Sequence, residues 1–107
     1  MQTTDDAAFQ ADVIDASQHR LVLACFMTLW SGPSKAAMVN LETLEPAYTD
    51  MATFVTIDVD ASDAAAQKYG VRDVPAFVLF DKGQVKDTWA GSDIDQIQKK
   101  LDQYAPK

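Results

Sequence analysis

Two serines lie three positions apart in a short segment whose residue types could carry chemistry, Trp30-Ser31-Gly32-Pro33-Ser34-Lys35. A serine becomes a nucleophile only when a base lies within hydrogen-bonding distance, and the sole histidine is His19. The strand-like residues 21–27 separate His19 from the serines, which places the two roughly 23 Å apart at about 3.3 Å per residue. This distance excludes a serine–histidine hydrolase. The structural role that remains is an N-cap at Ser31 and an early-turn proline at Pro33.

The sequence has one cysteine, Cys25, in the middle of the apolar run 21–27. A single cysteine cannot form a disulfide within the chain, and one cysteine with one histidine is too few for a structural zinc site. Burial raises the pKa of a thiol, so we expect Cys25 to be an inert buried thiol. The alternative is a single reactive thiol that can be reached from beneath the helix that starts near Ser31.

A cluster of oxygen-bearing side chains at Asp58, Asp60 and Ser62 has the spacing of the start of a calcium-binding loop. Such a loop then needs a glycine, where this chain has Asp63, and ends on a glutamate, where it has Tyr69. We therefore predict no metal site and no cofactor, and interpret the cluster as a solvated strand end followed by a helix cap.

The pattern of apolar and turn-forming residues predicts alternating helices and strands. Pro46 predicts a kink or an early end in the second helix, because it cannot donate to the carbonyl group of Glu42. Helices between strands imply parallel crossovers, and a tight hairpin adds an antiparallel edge, which gives a mixed α/β sandwich. The predicted helices are one over 5–17 with Thr4 as its N-cap, one after the 30–35 turn with an apolar stripe from Ala37 to Met51, a short one over 62–69 capped by Ser62, and a final one capped by Ser92. The predicted strands are a buried strand over 21–27, a strand over 54–60, a strand over 76–80 and, after a hairpin turn over 81–84, a return strand over 85–90.

On these residues the sequence resembles the thioredoxin family. The segment 30–35 matches the family's Trp-Cys-Gly-Pro-Cys-Lys motif with serine at both cysteine positions, and Val74-Pro75 matches its cis-proline loop. The resemblance covers essentially the whole chain and implies one thioredoxin-like domain over residues 1–107, with a central mixed β-sheet flanked by helices on both faces. Further matches fall at the family's spacing at 68–72, Leu79-Phe80, Lys82-Gly83 and Gly91.

The resemblance also implies which residues occupy the catalytic positions. In the family, the first cysteine of the motif attacks a target disulfide as a thiolate, and the second cysteine resolves the mixed disulfide. Ser31 and Ser34 stand at these two positions, and a hydroxyl group neither ionises near neutral pH nor forms a reversible sulfur–sulfur bond. We therefore expect the chain to be redox-inactive as written. Other departures from the family's pattern are Cys25 in place of a buried aspartate, Thr56 in place of a lysine, Val39 in place of a helix-bending proline, and Ala76 in place of a threonine.

Three loops form a flat, apolar docking surface in proteins of this family. Exposed backbone beside a cis-proline can pair with an extended peptide, so we expect protein or peptide partners here. We also expect Met27 and Leu29 to make the surface more apolar. The binding residues that the resemblance implies are Trp30, Gly32, Pro33, Val74, Pro75 and Gly91, with Ala90 beside them.

The charge balance excludes some classes of partner. Nine Lys and Arg against 16 Asp and Glu give a net charge of −7 and a pI of about 4.3, which repels nucleic acid and anionic lipid. The apolar run 21–27 is too short to span a bilayer. The polar, acidic N-terminal residues lack the pattern of a secretory signal. We expect a cytoplasmic location, with no nucleic acid or membrane partner.

Two main interpretations of the serines stay open. In the first, the chain is a divergent family member that has lost its redox centre and keeps its docking surface. In the second, it is an active thioredoxin, a protein disulfide reductase in cell redox homeostasis, that carries engineered cysteine-to-serine substitutions. A third interpretation is a purely structural or chaperone-like subunit.

Overall fold

The computed structural model describes residues 1–104, which form one five-stranded sheet with helices packed against it. The spatial strand order is first, third, second, fourth, fifth. The first three strands are parallel, and the last two add antiparallel pairs, so the predicted mixed sheet is confirmed. The strands are β1 (Gln2–Thr4), β2 (Leu21–Met27), β3 (Ala52–Asp58), β4 (Ala76–Asp81) and β5 (Gln84–Ala90), and the helices are α1 (Gly32–Tyr48), α2 (Ala64–Lys68) and α3 (Ile94–Tyr104).

Both faces of β2 are buried, which explains why its sequence is apolar without alternation. Leu23 and Cys25 belong to the apolar cluster that contains residues of α1 and α3. Val22 and Phe26 belong to a second cluster on the other face, with residues of the N-terminal segment and α2. The end of β2 is therefore held rigidly from both sides, and the segment 30–35 follows directly from it.

The prediction for the N-terminal segment is wrong in its bounds. Thr4 is the last residue of β1 and pairs with Ile57 of β3, so it does not cap a helix over 5–17. Its hydroxyl instead donates a 2.7 Å hydrogen bond to the Asp12 carboxylate. The helical part is a π-helical turn over Gln10–Asp15 and a 3₁₀ turn over Ala16–Gln18.

The predicted strand over 54–60 begins and ends two residues earlier, as β3. The strand ends at Asp58 because the chain turns there: the Asp58 carboxylate accepts a 3.0 Å hydrogen bond from the amide of Asp60. The Val59 amide donates to the carbonyl of Met27, which ties this turn to the end of β2.

Two predicted helix caps are wrong, because carboxylates cap these helices in place of the serines. The amides of Ala64 and Ala65 at the start of α2 donate to the carboxylate of Asp6, at 3.0 and 3.1 Å, and Ser62 is buried. At α3 the carboxylate of Asp93 accepts from the amide of Asp95. The carbonyl of Ser92 accepts from the Asn40 side chain of α1.

The second helix begins directly after its predicted N-cap, Ser31, inside the segment 30–35 that was expected to be a turn. Gly32 is its first residue, so most of the 30–35 segment is helical, and α1 continues two residues past Pro46 to end at Tyr48. Met51 lies beyond this end and packs against the core from the turn before β3. The early end expected at Pro46 is therefore wrong in its position: the helix contains Pro46 and ends at Tyr48, short of Met51.

The hairpin predicted over 81–84 is present. Lys82 and Gly83 both have positive φ angles, 53° and 78°, as a two-residue hairpin turn requires. The two amides of this turn also hold it against the 3₁₀ turn, since Lys82 donates to the carbonyl of Ser17 and Gly83 to its hydroxyl, each at 2.8 Å.

Candidate functional site

Ser31 forms the N-cap of α1, as predicted. Its backbone is extended, and its hydroxyl accepts a 3.3 Å hydrogen bond from the amide of Ser34. Its carbonyl accepts from the amide of Lys35 at 3.0 Å. Pro33 lies in the first turn, where its missing amide proton costs no helical hydrogen bond. The Ser31 side chain therefore satisfies a helix amide.

Ser34 differs from Ser31 because its side chain is fully buried. Its hydroxyl oxygen accepts a 3.1 Å hydrogen bond from the backbone amide of Thr28, directly after β2. The hydroxyl of Thr28 is itself buried and has no hydrogen-bond partner within residues 1–104. Ser34 thus joins the helix start to the strand end, and it presents no atom to the surface.

Trp30 is the most exposed large side chain at this end of the sheet. It is 75% exposed, and the neighbouring Leu29 is 63% exposed. The indole nitrogen of Trp30 donates a 2.7 Å hydrogen bond to the carboxylate of Asp60. The ring is therefore held in one orientation while its apolar surface faces solvent.

The Val74 and Gly91 loops lie at the same end of the sheet as Trp30. Strand register places Ala76 of β4 opposite Phe26 of β2, one residue before β2 ends, and opposite Ala90 of β5. The Val74-Pro75 peptide bond is cis, and the carbonyl of Pro75 accepts a 2.9 Å hydrogen bond from the amide of Gly91. Gly91 has a φ of 112°, which a residue with a side chain rarely adopts.

The side chains expected on the docking surface differ in accessibility. Trp30, Gly32 and Pro33 are exposed, while Val74 and Gly91 are half-buried. Pro75 is buried, so its ring adds almost no exposed surface. The expectation that Met27 adds to the surface is wrong: as a β2 residue on the face covered by α1 and α3, it is only 2% exposed.

A groove of about 350 Å³ continues from this surface. It lies between the loop over residues 69–73 and the edge strand β5, and Asp73, Ala76 and Ala90 belong to its lining. Asp73 directly precedes Val74 and Ala90 directly precedes Gly91, so the groove borders these two loops. This groove was not predicted, because it depends on how the loop packs beside β5.

Cys25 is fully buried in the middle of β2, between Thr56 of β3 and Phe77 of β4 in the strand register. Burial raises the pKa of its thiol to about 12. A thiol with this pKa carries almost no thiolate near neutral pH. Cys25 is therefore the inert buried thiol that the sequence predicts.

The structure brings together neither a serine–histidine pair nor a metal site in the described residues. His19 precedes β2 and Ser31 follows it, so the two lie at opposite ends of the strand. Within residues 1–104, no three histidine, cysteine, aspartate or glutamate side chains are grouped so that they could hold a metal ion. Asp60, which we interpreted as part of a solvated strand end, accepts the hydrogen bond from the Trp30 indole. No local signal in the sequence pairs these two residues, because they lie thirty positions apart.

The family model for thioredoxin matches residues 1–103. The chain belongs to the thioredoxin family. Its sequence is 39% identical over 82 residues to thioredoxin C-2 from Corynebacterium nephridii, covering 77% of this chain and 74% of that protein. It is 35% identical over 92 residues to the thioredoxin of Rhodospirillum rubrum, covering 86% of each chain.

Solved structures give the same fold. The X-ray structure of Fasciola hepatica thioredoxin superposes with a TM-score of 0.88 at 26% sequence identity, covering 97% of this chain and 99% of that one. The thioredoxin fold predicted from the sequence is thereby confirmed. In the part of the chain that the structure describes, no helix has the length and apolar character needed to cross a membrane.

Proposed function

We propose that this thioredoxin-family chain is a docking module that binds an extended segment of a partner protein and does not exchange disulfides. The observation that carries the proposal is the exposed, fixed indole of Trp30 at the end of the sheet where the three loops meet. Tryptophans of this kind are common binding hot spots, because a rigid aromatic ring loses little conformational freedom on binding.

The backbone around Val74 supports binding of an extended chain. Within residues 1–104, neither the amide nor the carbonyl of Val74 makes a hydrogen bond. These groups can accept a partner strand by β-augmentation, in which the main chain gives affinity and side-chain pockets give specificity. Trp30 and Leu29 lie at the same end of the sheet as Val74, and Asp73, next to Val74, lines the groove beside β5.

The chemistry of the two serines supports the absence of disulfide exchange. Both hydroxyl oxygens accept hydrogen bonds from backbone amides, Ser31 from Ser34 and Ser34 from Thr28. Neither can provide a thiolate, and the thiol of Cys25 is buried with a pKa of about 12. The groups that remain at this site can bind a partner, but they cannot store two electrons.

Panning a phage-displayed library of random octapeptides against the chain tests the docking surface. We expect peptides that lose about tenfold or more in affinity when Trp30→Ala is introduced, as for a binding hot spot. Val85→Ala is the matched control, since Val85 is an exposed residue near the opposite end of β5. A library that yields no peptide above background, or peptides that bind Trp30→Ala as tightly as the parent chain, would contradict the proposal.

The alternative interpretation is a disulfide reductase with engineered serines. The disulfide-reducing activity of the double variant Ser31→Cys/Ser34→Cys distinguishes this interpretation from the docking module. A reductase should regain full disulfide-reducing activity, because only the two thiols would be missing. A divergent docking module should regain little, because Cys25 and Thr56 stand where the family has an aspartate and a lysine. Circular dichroism of the double variant establishes that it is folded.

A further inference from the structure

The docking surface around Trp30 is bordered by carboxylates. Asp58 ends β3, where it lies opposite Met27 in the register, and Asp60 binds the Trp30 indole. Asp73 directly precedes Val74, and Asp93 follows Gly91 by two residues. Each of the three loops that form the surface therefore has at least one carboxylate on it or next to it.

No lysine or arginine within residues 1–104 forms an ion pair with any of these four carboxylates. Asp58, Asp60 and Asp93 accept hydrogen bonds from neutral donors, namely two backbone amides and the Trp30 indole. The Asp73 carboxylate is exposed and accepts no hydrogen bond from this part of the chain. The negative potential of the rim is therefore available to a partner.

The basic residues on the same loops are fewer. Lys35 lies in the first turn of α1, and Arg72 lies beside Asp73; both are exposed. The whole chain has a net charge of −7, so the field farther from the surface has the same sign as the rim. Such a field attracts cationic groups and raises their rate of association.

We infer that the segment docked at Trp30 is basic, with lysine or arginine on both sides of a short apolar stretch. The apolar stretch covers Leu29 and Trp30, and the cationic side chains reach the carboxylates of the rim. This inference rests on the proposed docking function and names the chemistry of its partner.

The same charges disfavour the other possible occupants of this surface. A second copy of the chain would bring its own carboxylate rim and a further net charge of −7 to this surface. Like charges brought together across an interface raise the free energy of the complex. An acidic peptide, a nucleic acid and an anionic membrane are repelled for the same reason. A basic segment is the occupant whose charge complements both the rim and the whole chain.

Three synthetic peptides test the inference. The tightest octapeptide from the library is extended at each end by two lysines, two glutamines or two glutamates, and each peptide is titrated against the chain by calorimetry. We expect the affinity to fall from the lysine to the glutamine to the glutamate form. The lysine form should also weaken most as salt is added, because salt screens exposed charges.

Removal of one rim charge gives a second readout. Asp73→Asn should weaken the lysine-flanked peptide about two- to fivefold, the range of one exposed ion pair, and leave the glutamine-flanked peptide unchanged. Asp50→Asn is the matched control: it removes the same charge from an exposed residue in the turn before β3, at the opposite end of that strand from Asp58.

The outcomes separate the two proposals. Equal affinities for the three peptides, or tighter binding of the glutamate form, would overturn the basic partner while the docking function stands. Equal weakening by Asp73→Asn and Asp50→Asn would overturn the role of the rim. A library that yields no binding peptide overturns the docking function and this inference together.

Discussion

The indole nitrogen of Trp30 donates a hydrogen bond of 2.7 Å to the carboxylate of Asp60, a residue thirty positions further along the chain. This bond joins the loop after β2 to the loop after β3, and it holds the side chain of a residue that is 75% exposed. A large apolar side chain that is both exposed and held in place is prepared for binding, because its rotamer does not have to be selected when a partner arrives.

Asp60→Ala should weaken docking without unfolding the chain. The loss of one hydrogen bond releases the Trp30 ring, and we expect about two- to tenfold lower affinity for the glutamine-flanked peptide, from the usual free energy of such a bond. Asp60→Asn is the control, because its amide oxygen can still accept from the indole. Calorimetric titration measures both variants, and an Asp60→Ala chain that binds as tightly as the parent would show that the bond has no positioning role.

Ser17→Ala should destabilise the fold. Ser17 is 1% exposed, and its hydroxyl accepts from the amide of Gly83 at 2.8 Å and donates to the carbonyl of Ile14 at 2.6 Å. The substitution leaves the hairpin amide without its partner, so we expect a loss of about 1–3 kcal/mol in the free energy of unfolding.

Urea denaturation measures that change. Ser92→Ala is the control, since Ser92 takes part in a hydrogen bond only through its carbonyl within residues 1–104. Equal stability of Ser17→Ala and the parent chain would mean that the hairpin is held without this serine.

Asp87 should make stability depend on pH in the acidic range. Burial raises the pKa of this carboxyl, but hydrogen bonds from Lys100, Tyr104 and the Thr88 amide, together with the charge of Lys100, lower it below the usual 3.8. The ionised carboxylate therefore stabilises the fold fully above the unfolded pKa. This contribution is lost as the pH falls through the lower, folded pKa.

Asp87→Asn should accordingly cost about 1 kcal/mol near neutral pH and progressively less below about pH 3.8. Urea denaturation of the parent and the variant across this range measures the difference, with Asp50→Asn as a control for loss of an exposed carboxylate. A difference that stays constant down to about pH 2 would contradict the lowered pKa of Asp87.

Cys25 should not react with a thiol reagent while the chain is folded. Its side chain is fully buried and its pKa is about 12, so both access and thiolate are lacking at neutral pH. Reaction with a chromogenic disulfide reagent should be absent in buffer and complete in urea. Rapid labelling of the native chain would instead favour the reactive single thiol.

The parts of this structure that could be predicted are those with a local sequence signal. The apolar run of β2 and the turn at Lys82-Gly83 both depend on nearby residues, and both are present. Thr4 and Pro75 illustrate what could not be predicted. Thr4 belongs to a strand because it pairs with Ile57 of β3. Pro75 is buried by the packing of its loop. Both features depend on contacts between residues that are distant in the sequence.

The helix N-caps could not all be predicted either, because a cap can come from a residue that is distant in the sequence. A serine before a helix is a good N-cap by local rules, yet α2 is capped by Asp6, which lies 58 residues away from Ala64 in the sequence. The docking surface was predicted as a set of loops. Its rim of carboxylates and its groove could not be predicted, because they depend on how the fold brings those loops together.

This thioredoxin-family chain should bind a partner without disulfide exchange. Steady-state reduction of insulin disulfides in the presence of dithiothreitol tests it most directly, with the Ser31→Cys/Ser34→Cys variant measured beside the parent chain. We predict that the parent chain gives the rate of dithiothreitol alone, since it has no exposed thiol. A rate above that background, abolished by Cys25→Ala in a chain that remains folded, would contradict the account.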